Sequence, residues 1–272
     1  MTPIDLPQLA AARARGPDAA AFLNAQLSAD IVSLADGAAT FACYCSPRGQ
    51  VYGLLLVGRS GDEYLLLADA ELLPDMLRRL GMFVLRARVE LGMAEELAVS
   101  ARPAQEAAVG SGLEFEPPGP GLRYRLGNAS SRSAAAPAGW KERELRANIV
   151  WLNRQTTERY IPQMLGFDRI GAVSFNKGCY PGQEIIARAR YLGQVKRKPL
   201  LLHVGSAPQW LPGKPLQLQS GQESIQAAIV DSVFLAGAGG APESLLFVVA
   251  PEPEHPVESL EYEGKTYRCA TM

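Results

Sequence analysis

After Gly193 the chain changes character, and that change limits its architecture more than any other feature. Short apolar segments at Pro199 to Val204, Leu216 to Gln219, Gln226 to Phe234, Ser244 to Val249 and Leu260 to Cys269 alternate with glycine and proline turns. Strands this short, separated by turns, predict a small all-β module, a barrel or a sandwich. Gly237-Ala238-Gly239-Gly240 reads as a hairpin connection inside it, because no lysine, serine or helix follows as a phosphate loop would require. Upstream the pattern mixes helix and strand. Gly16-Pro17-Asp18 opens a helix with Phe22, Leu23 and Leu27 on one stripe, and Ser46-Pro47-Arg48-Gly49 turns a hairpin between Phe41 to Tyr44 and Val51 to Val57. Glu63 to Ala68 supplies a further strand. Asp69 then caps a helix through ELLPDMLRRLGMF, where Pro74 fits only in the first turn. Strand-like LRARVELG and LAVSA follow, and loops rich in proline, glycine and serine surround a short strand at Leu122 to Leu126.

At 272 residues the chain exceeds one typical domain of about 150. The division expected is an α+β region over 1–195, with about 96–139 as a smaller inserted subdomain, and a β-barrel over 196–272. Twenty-seven basic residues against 28 acidic ones lack the electrostatic footprint of a dedicated nucleic-acid binder, so no direct nucleic-acid binding is expected. No apolar run reaches the ~18–20 residues of a membrane span, and the start has neither a basic leader nor an apolar signal core. Four scattered cysteines, Cys43, Cys45, Cys179 and Cys269, do not make a secreted disulfide framework. These features predict a cytoplasmic protein with reduced thiols and no membrane partner.

Chemistry concentrates at Lys177-Gly178-Cys179-Tyr180-Pro181-Gly182-Gln183-Glu184. Glycine before Cys179 and Pro181-Gly182 after it predict a tight turn between an apolar strand and a helix, which exposes the sulfur. Lys177 and the positive end of the following helix favour a thiolate, so Cys179 and Lys177 are the candidate catalytic pair. A small buried side chain is the competing account of Cys179. Neither His203 nor His255 completes a cysteine–histidine relay, and Cys43-X-Cys45 has the wrong spacing for the common zinc pattern, so no metal site is expected and that pair reads as ordinary core or edge residues. Arg188, Arg190, Lys196, Arg197 and Lys198 form the densest positive cluster, either a solvated helix face or a site for an anion. Trp140, at a loop exit and hence expected near the surface, is the better of the tryptophans for stacking on a flat heterocycle.

The stretch IPQMLGFDRIGAVSFNKGCYPGQEIIARARYLGQVKRKPL closely resembles the signature of the YgfZ-like family of folate-binding proteins, in which Lys-Gly-Cys-Tyr/Phe-X-Gly-Gln-Glu precedes an Ala-Arg-rich helix. FLNAQLSADIVSL is similar to a second family segment, retaining Gln26 and Asp30 while Asn24 and Ala25 depart from its common Gln-Gly, and CSPRGQVYGLLLV looks like the hairpin that follows. The resemblance implies an α+β, aminomethyltransferase-like fold of the glycine-cleavage T-protein superfamily, with folate-binding domains and a small C-terminal β-barrel. It implies tetrahydrofolate or a one-carbon derivative as cofactor, iron–sulfur client proteins or assembly factors as partners, and through them an effect on tRNA modification. Carried over residue by residue, it makes Cys179 the functional cysteine, with Lys177, Gly178, Tyr180, Gly182, Gln183 and Glu184 completing the motif. Trp140 takes the place of a tryptophan linked to the folate pocket, while a second such tryptophan falls close to Leu9. Trp140, Tyr180, Gly182, Gln183, Glu184 and Arg188 are the candidate cofactor-binding residues. T-proteins carry an Asp-Asp pair where this chain has Gly53-Leu54, which cannot accept a proton, so aminomethyl transfer of that type is not expected. The alternatives are a one-carbon transferase for an unknown acceptor and a folate-free adaptor.

Overall fold

The computed structural model describes residues 4–106, 112–119, 121–128, 138–193, 195–206, 208–237 and 240–272. They fall into two compact units: Met1–Ala136 with Trp151–Pro162 and Phe167–Ala187, and Pro137–Val150 with Gln163–Gly166 and Arg188–Met272. The 195/196 boundary read from the sequence is therefore crossed, because 137–150 and 163–166 group with the barrel.

The first unit holds two antiparallel sheets. Strands β2 (Leu9–Arg15), β3 (Ala39–Cys45), β4 (Val51–Ser60), β5 (Glu63–Asp69) and β6 (Glu90–Met93) form one in the order β3-β4-β5-β2-β6. In the other, β1 (Ile4–Asp5), β7 (Leu97–Pro103), β8 (Leu113–Phe115) and β9 (Leu122–Asn128) pair as β1-β7-β9-β8. The β3–β4 hairpin turns at Ser46 to Gly49 as expected, with Ser46 N–H donating to Gln50 O at 2.8 Å and Gly49 N–H to Ser46 O at 2.8 Å. Helix α1 (Ala19–Gln26) buries Phe22 and Leu23. Helix α2 (Leu73–Gly81) buries Leu73, Met76, Leu77 and Leu80. Asp69 accepts from the N–H groups of Glu71 and Leu72 at 3.0 and 3.1 Å, so it caps the turn that leads into α2 rather than the helix itself.

The interior strand β2, LAAARAR, is not predicted by its own pattern. Its alanines and arginines favour helix in isolation, but pairing with β5 and β6 on both sides imposes the strand. Arg15 faces Glu63 across the ladder and donates to it at 2.6 Å. LRARVELG is strand only from Glu90.

In the second unit β10 (Arg197–Val204), β11 (Pro215–Ser220), β12 (Glu223–Ala236), β13 (Pro242–Pro251), β14 (Val257–Tyr262) and β15 (Lys265–Thr271) close a barrel in the order β10-β13-β12-β11-β14-β15, with β15 returning to β10. Closure removes the sheet edges and surrounds a core that includes Leu202, Leu218, Ile229, Leu246, Val248 and Leu260. Leu260 to Cys269, read as one strand, is a hairpin. Glu263 (φ 50°) and Gly264 (φ 75°) both adopt the left-handed conformation that a two-residue turn of this hand requires. Gly237 and Ala241 close the β12–β13 connection by a 2.8 Å hydrogen bond, while Ala238 and Gly239 lie outside the described residues. Helix α3 (Ala138–Arg146) packs on β12 and β13, and Lys141 pairs with the buried Asp231 at 2.7 Å beside the bulge in β12.

Candidate functional site

The Cys179 loop is built on the end of α1. A helix leaves its last carbonyls without intrahelical partners, and a cation there is doubly favourable, through hydrogen bonds and through the helix dipole. Lys177 fills this role. Its ammonium donates to the carbonyls of Asn24, Leu27 (2.7 Å) and Ala29 (2.8 Å), which uses all three of its N–H groups. Burial pushes the Lys177 amine down to about 8, with Asp30 opposing the shift. Asp30 is itself held below the usual carboxylate range, chiefly by a hydrogen bond from Ser33. Asn24 Oδ1 accepts from Ile31 N–H at 2.9 Å, which closes the helix exit by a local bond.

Beside it, the fully buried Ser28 ties three segments together. Its N–H donates to Cys43 O at 3.0 Å, its hydroxyl accepts from Cys43 N–H at 2.8 Å and donates to Ala172 O at 2.5 Å, and its carbonyl accepts from Ser174 N–H at 2.8 Å. Residues 172–180 thus run against α1 and β3 by side-chain and backbone bonds without forming the regular strand expected before the cysteine. Proline and glycine then turn the chain into helix α4 (Gln183–Tyr191), as expected.

Gly182 fixes the loop from its other side. Its φ is +81°, and a Cβ there would lie 2.5 Å from Ser46 O and 2.6 Å from Gly49 Cα, so only glycine lets the motif seat on the β3–β4 turn. Between these two anchors Tyr180 is buried, its ring 5.3 Å from the Lys177 ammonium and its hydroxyl without a hydrogen-bond partner. Burial, with the Cys45 and Cys43 thiols adding to it, pushes its phenol far above the ordinary value. Of the four cysteines only Cys179 is exposed. Cys43 and Cys45 are buried core residues, and burial with a hydrogen bond to Cys43 pushes the Cys45 thiol well up. Cys269 is pushed up to about 11 by burial. The arrangement is a clamped loop presenting one thiol to solvent.

The other candidates divide. Glu184 and Arg188 are exposed on α4, and Gln183 is half-buried, its N–H donating to Tyr180 O at 3.2 Å. Trp140 departs from expectation. It lies in α3 at 1% exposure, so it is not a surface indole, and in this conformation it offers no open face for stacking. Helical packing of WKERELR, not visible in the preceding loop composition, turns the ring inward. Trp151 is also core, packed edge-on to Tyr124 at 6.0 Å. His203 is satisfied by Glu243 at 2.7 Å. Among the described residues no group of three or more metal-ligating side chains is assembled.

A cleft that the sequence reading missed lies in the first unit. About 180 Å³ in volume, it is lined by Tyr52, Met76, Arg79, Arg154, Thr157 and Glu158, among others. The Arg79 guanidinium sits 4.3 Å from the Tyr52 ring centroid and 3.6 Å from Glu158, while Arg154 lies 3.4 Å from Asp75. Its members come from β4, α2 and the 154–158 turn, and no local motif links them. Next to it, a Cβ on Gly53 would meet Met76 Sδ at 2.7 Å, and Leu54 is buried. Met76 thus fills the space over Gly53.

The fold defines the class. The structure matches the glycine cleavage system aminomethyltransferase T of Bartonella henselae with a TM-score of 0.68, covering 98% of this chain and 83% of that one at 14% identity. The chain has the mixed α and β, aminomethyltransferase-like fold with a closed C-terminal barrel. Sequence comparison then reaches particular proteins. The chain is 28% identical over 263 residues to the tRNA-modifying protein YgfZ of Edwardsiella ictaluri, covering 85% of this chain and 76% of that protein. With YgfZ of Colwellia psychrerythraea it is 26% identical over 71% of this chain and 69% of that one. An uncharacterized protein of Haemophilus influenzae is 29% identical over 79% of this chain and 78% of its own length. No protein-family model matches. These homologues bear out the resemblance to the YgfZ-like family.

Proposed function

We propose that this protein is a folate-binding accessory factor that supports iron–sulfur cluster assembly or repair and thereby tRNA modification. The observation that carries the reading is the exposed Cys179, held on a loop clamped by Lys177 and Gly182, in a chain whose homologues are named tRNA-modifying proteins. A thiol fixed in place and open to solvent suits transient handling of a client's iron or sulfur. The clamp keeps its position independent of loop motion.

The residues of the first unit fit one end of a folate. Tyr52 supplies an aromatic surface, and Arg79 and Arg154 supply planar forks suited to carboxylate. About 180 Å³ is smaller than the ~300–1,000 Å³ of pockets that enclose a drug-sized ligand, so this cleft takes a part of the molecule. Bound folate would supply a one-carbon unit or a reduced pterin. Gly53 and Leu54 place no carboxylate at the positions compared with the T-protein Asp-Asp pair, and the two carboxylates that do line the cleft, Asp75 and Glu158, are paired with Arg78, Arg154 and Arg79, which weighs against an aminomethyltransferase of that type.

Complementation tests the role of the thiol. In a strain lacking the gene, Cys179→Ser is expected to leave iron–sulfur enzyme activity and dependent tRNA modification at the deletion level, with the variant protein folded and present in normal amount. Full restoration by Cys179→Ser would remove the cysteine from the mechanism.

A further inference from the structure

The end of α2 carries a surface that neither the core nor the cysteine loop uses. Helix α2 meets its packing needs with Leu73, Met76, Leu77 and Leu80, and the chain is buried again at Val89. Between them Met82, Phe83 and Leu85 stand 63%, 51% and 85% exposed. Three large apolar side chains within four residues are not the scattered single exposures normal for a protein surface.

The segment is rigidly displayed. Met82 N–H donates to Arg79 O at 3.2 Å, Phe83 N–H to Leu80 O at 2.9 Å, Val84 N–H to Gly81 O at 3.2 Å and Leu85 N–H to Phe83 O at 3.0 Å, a run of tight turns. At its base Arg88 N–H donates to Asp18 Oδ2 at 2.8 Å, and Asp18 N–H donates back to Arg88 O at 3.3 Å. A preorganised apolar knob loses little freedom on binding.

Charge narrows the choice of occupant. From Met76 to Val89 there is no acidic residue, and four arginines flank the knob. Arg78 pairs with Asp75 at 2.9 Å, Arg79 with Glu158 at 3.6 Å and Arg88 with Asp18 at 3.3 Å. Arg86, next to Leu85 and exposed, has no ion pair among the described residues. One uncompensated cation falls short of the roughly four to eight basic residues that mark an anionic membrane anchor. Two-fold pairing of this segment with a second copy offers Arg86 no partner, since residues 76–89 contain no carboxylate. We infer that Met82, Phe83 and Leu85 form a docking knob for another protein, whose site is an apolar pocket with a carboxylate on its rim to receive Arg86. The inference shares no residue with Cys179 or the cleft, so it stands or falls independently of the folate reading.

The test is photocrosslinking in cells from the full-length chain carrying p-benzoylphenylalanine at position 85, with position 234, another exposed apolar site, as control. The expected result is a crosslink from 85 and not from 234 to one protein, at an apolar peptide containing Asp or Glu. Its yield should fall at least tenfold with Arg86→Glu and return when the partner's carboxylate is changed to Lys. Crosslinks to phospholipid or to the chain itself, a protein crosslink indifferent to Arg86→Glu, or no crosslink from 85 would each overturn the inference. Because positions 85 and 86 are exposed, circular dichroism of each variant should match the wild type.

Discussion

Lys177 carries a charge into a half-buried place because three carbonyls, one in the last turn of α1, one at its cap and one just beyond it, take their donors from its ammonium. Its amine is pushed down to about 8 by burial, so between pH 8 and the ordinary lysine range of about 10.4 the unfolded chain binds more protons than the folded one. Stability from this group therefore rises with pH through that window, the charged form being penalised below it. A Lys177→Met variant loses the three bonds and the titration together, at a cost of about 1–3 kcal/mol for the stranded carbonyls. Urea unfolding from pH 7 to 10 should show the wild type gaining on the variant above pH 8. A gap that narrows instead would mean that the carbonyls hold the ammonium more strongly than burial opposes it. Gly182 is a second residue whose identity is set by geometry. Gly182→Ala places a methyl against backbone at Ser46 and Gly49 in a left-handed conformation, and a loss of about 2–4 kcal/mol in urea unfolding is expected. The exposure of Cys179 and the turn at Pro181-Gly182 are legible in the sequence because glycine and proline state a turn locally, whereas the sequence assigns Lys177 to the thiolate, and its place on the carbonyls near α1 depends on packing that local composition does not encode. Trp140 was misplaced because its burial depends on helix packing that local composition does not encode.

At the scale of elements, patterns that speak locally were readable and those set by partners were not. The β3–β4 hairpin, α2 and the barrel strands follow from turn residues and apolar runs. Strand β2 could not be seen, since LAAARAR reads as helix until β5 and β6 flank it. The β14–β15 turn carries its own signal, Glu263-Gly264 between alternating segments, inside what otherwise reads as one longer strand. The packing of α2 on β4 also has a chemical consequence. Met76 occupies the space over Gly53, so Gly53→Asp alone should destabilise by about 2–4 kcal/mol through overpacking and a buried charge. Adding Met76→Ala should recover part of that loss. Chemical denaturation of the two single variants and the double variant measures the coupling. Strict additivity would mean that the methionine does not close the site.

For the whole molecule, the barrel was predicted from the change in character after Gly193, but the grouping of 137–150 and 163–166 with it was not. Those segments precede the change in composition, and only long-range packing assigns them. The cleft of Tyr52, Met76, Arg79 and Arg154 was hidden for the same reason, since its residues are spread over about a hundred positions. Homologues named for tRNA modification, an aminomethyltransferase-like fold and one exposed, clamped thiol are the observations behind the proposed function.

The measurement that tests this account most directly is calorimetric titration of the purified protein with tetrahydrofolate under anaerobic conditions, on the wild type and on Arg79→Ala. Saturable one-to-one binding by the wild type, weakened at least tenfold in the variant, is the predicted result. No binding heat in the wild type would contradict the account, leaving the fold and the exposed cysteine but removing folate from the function.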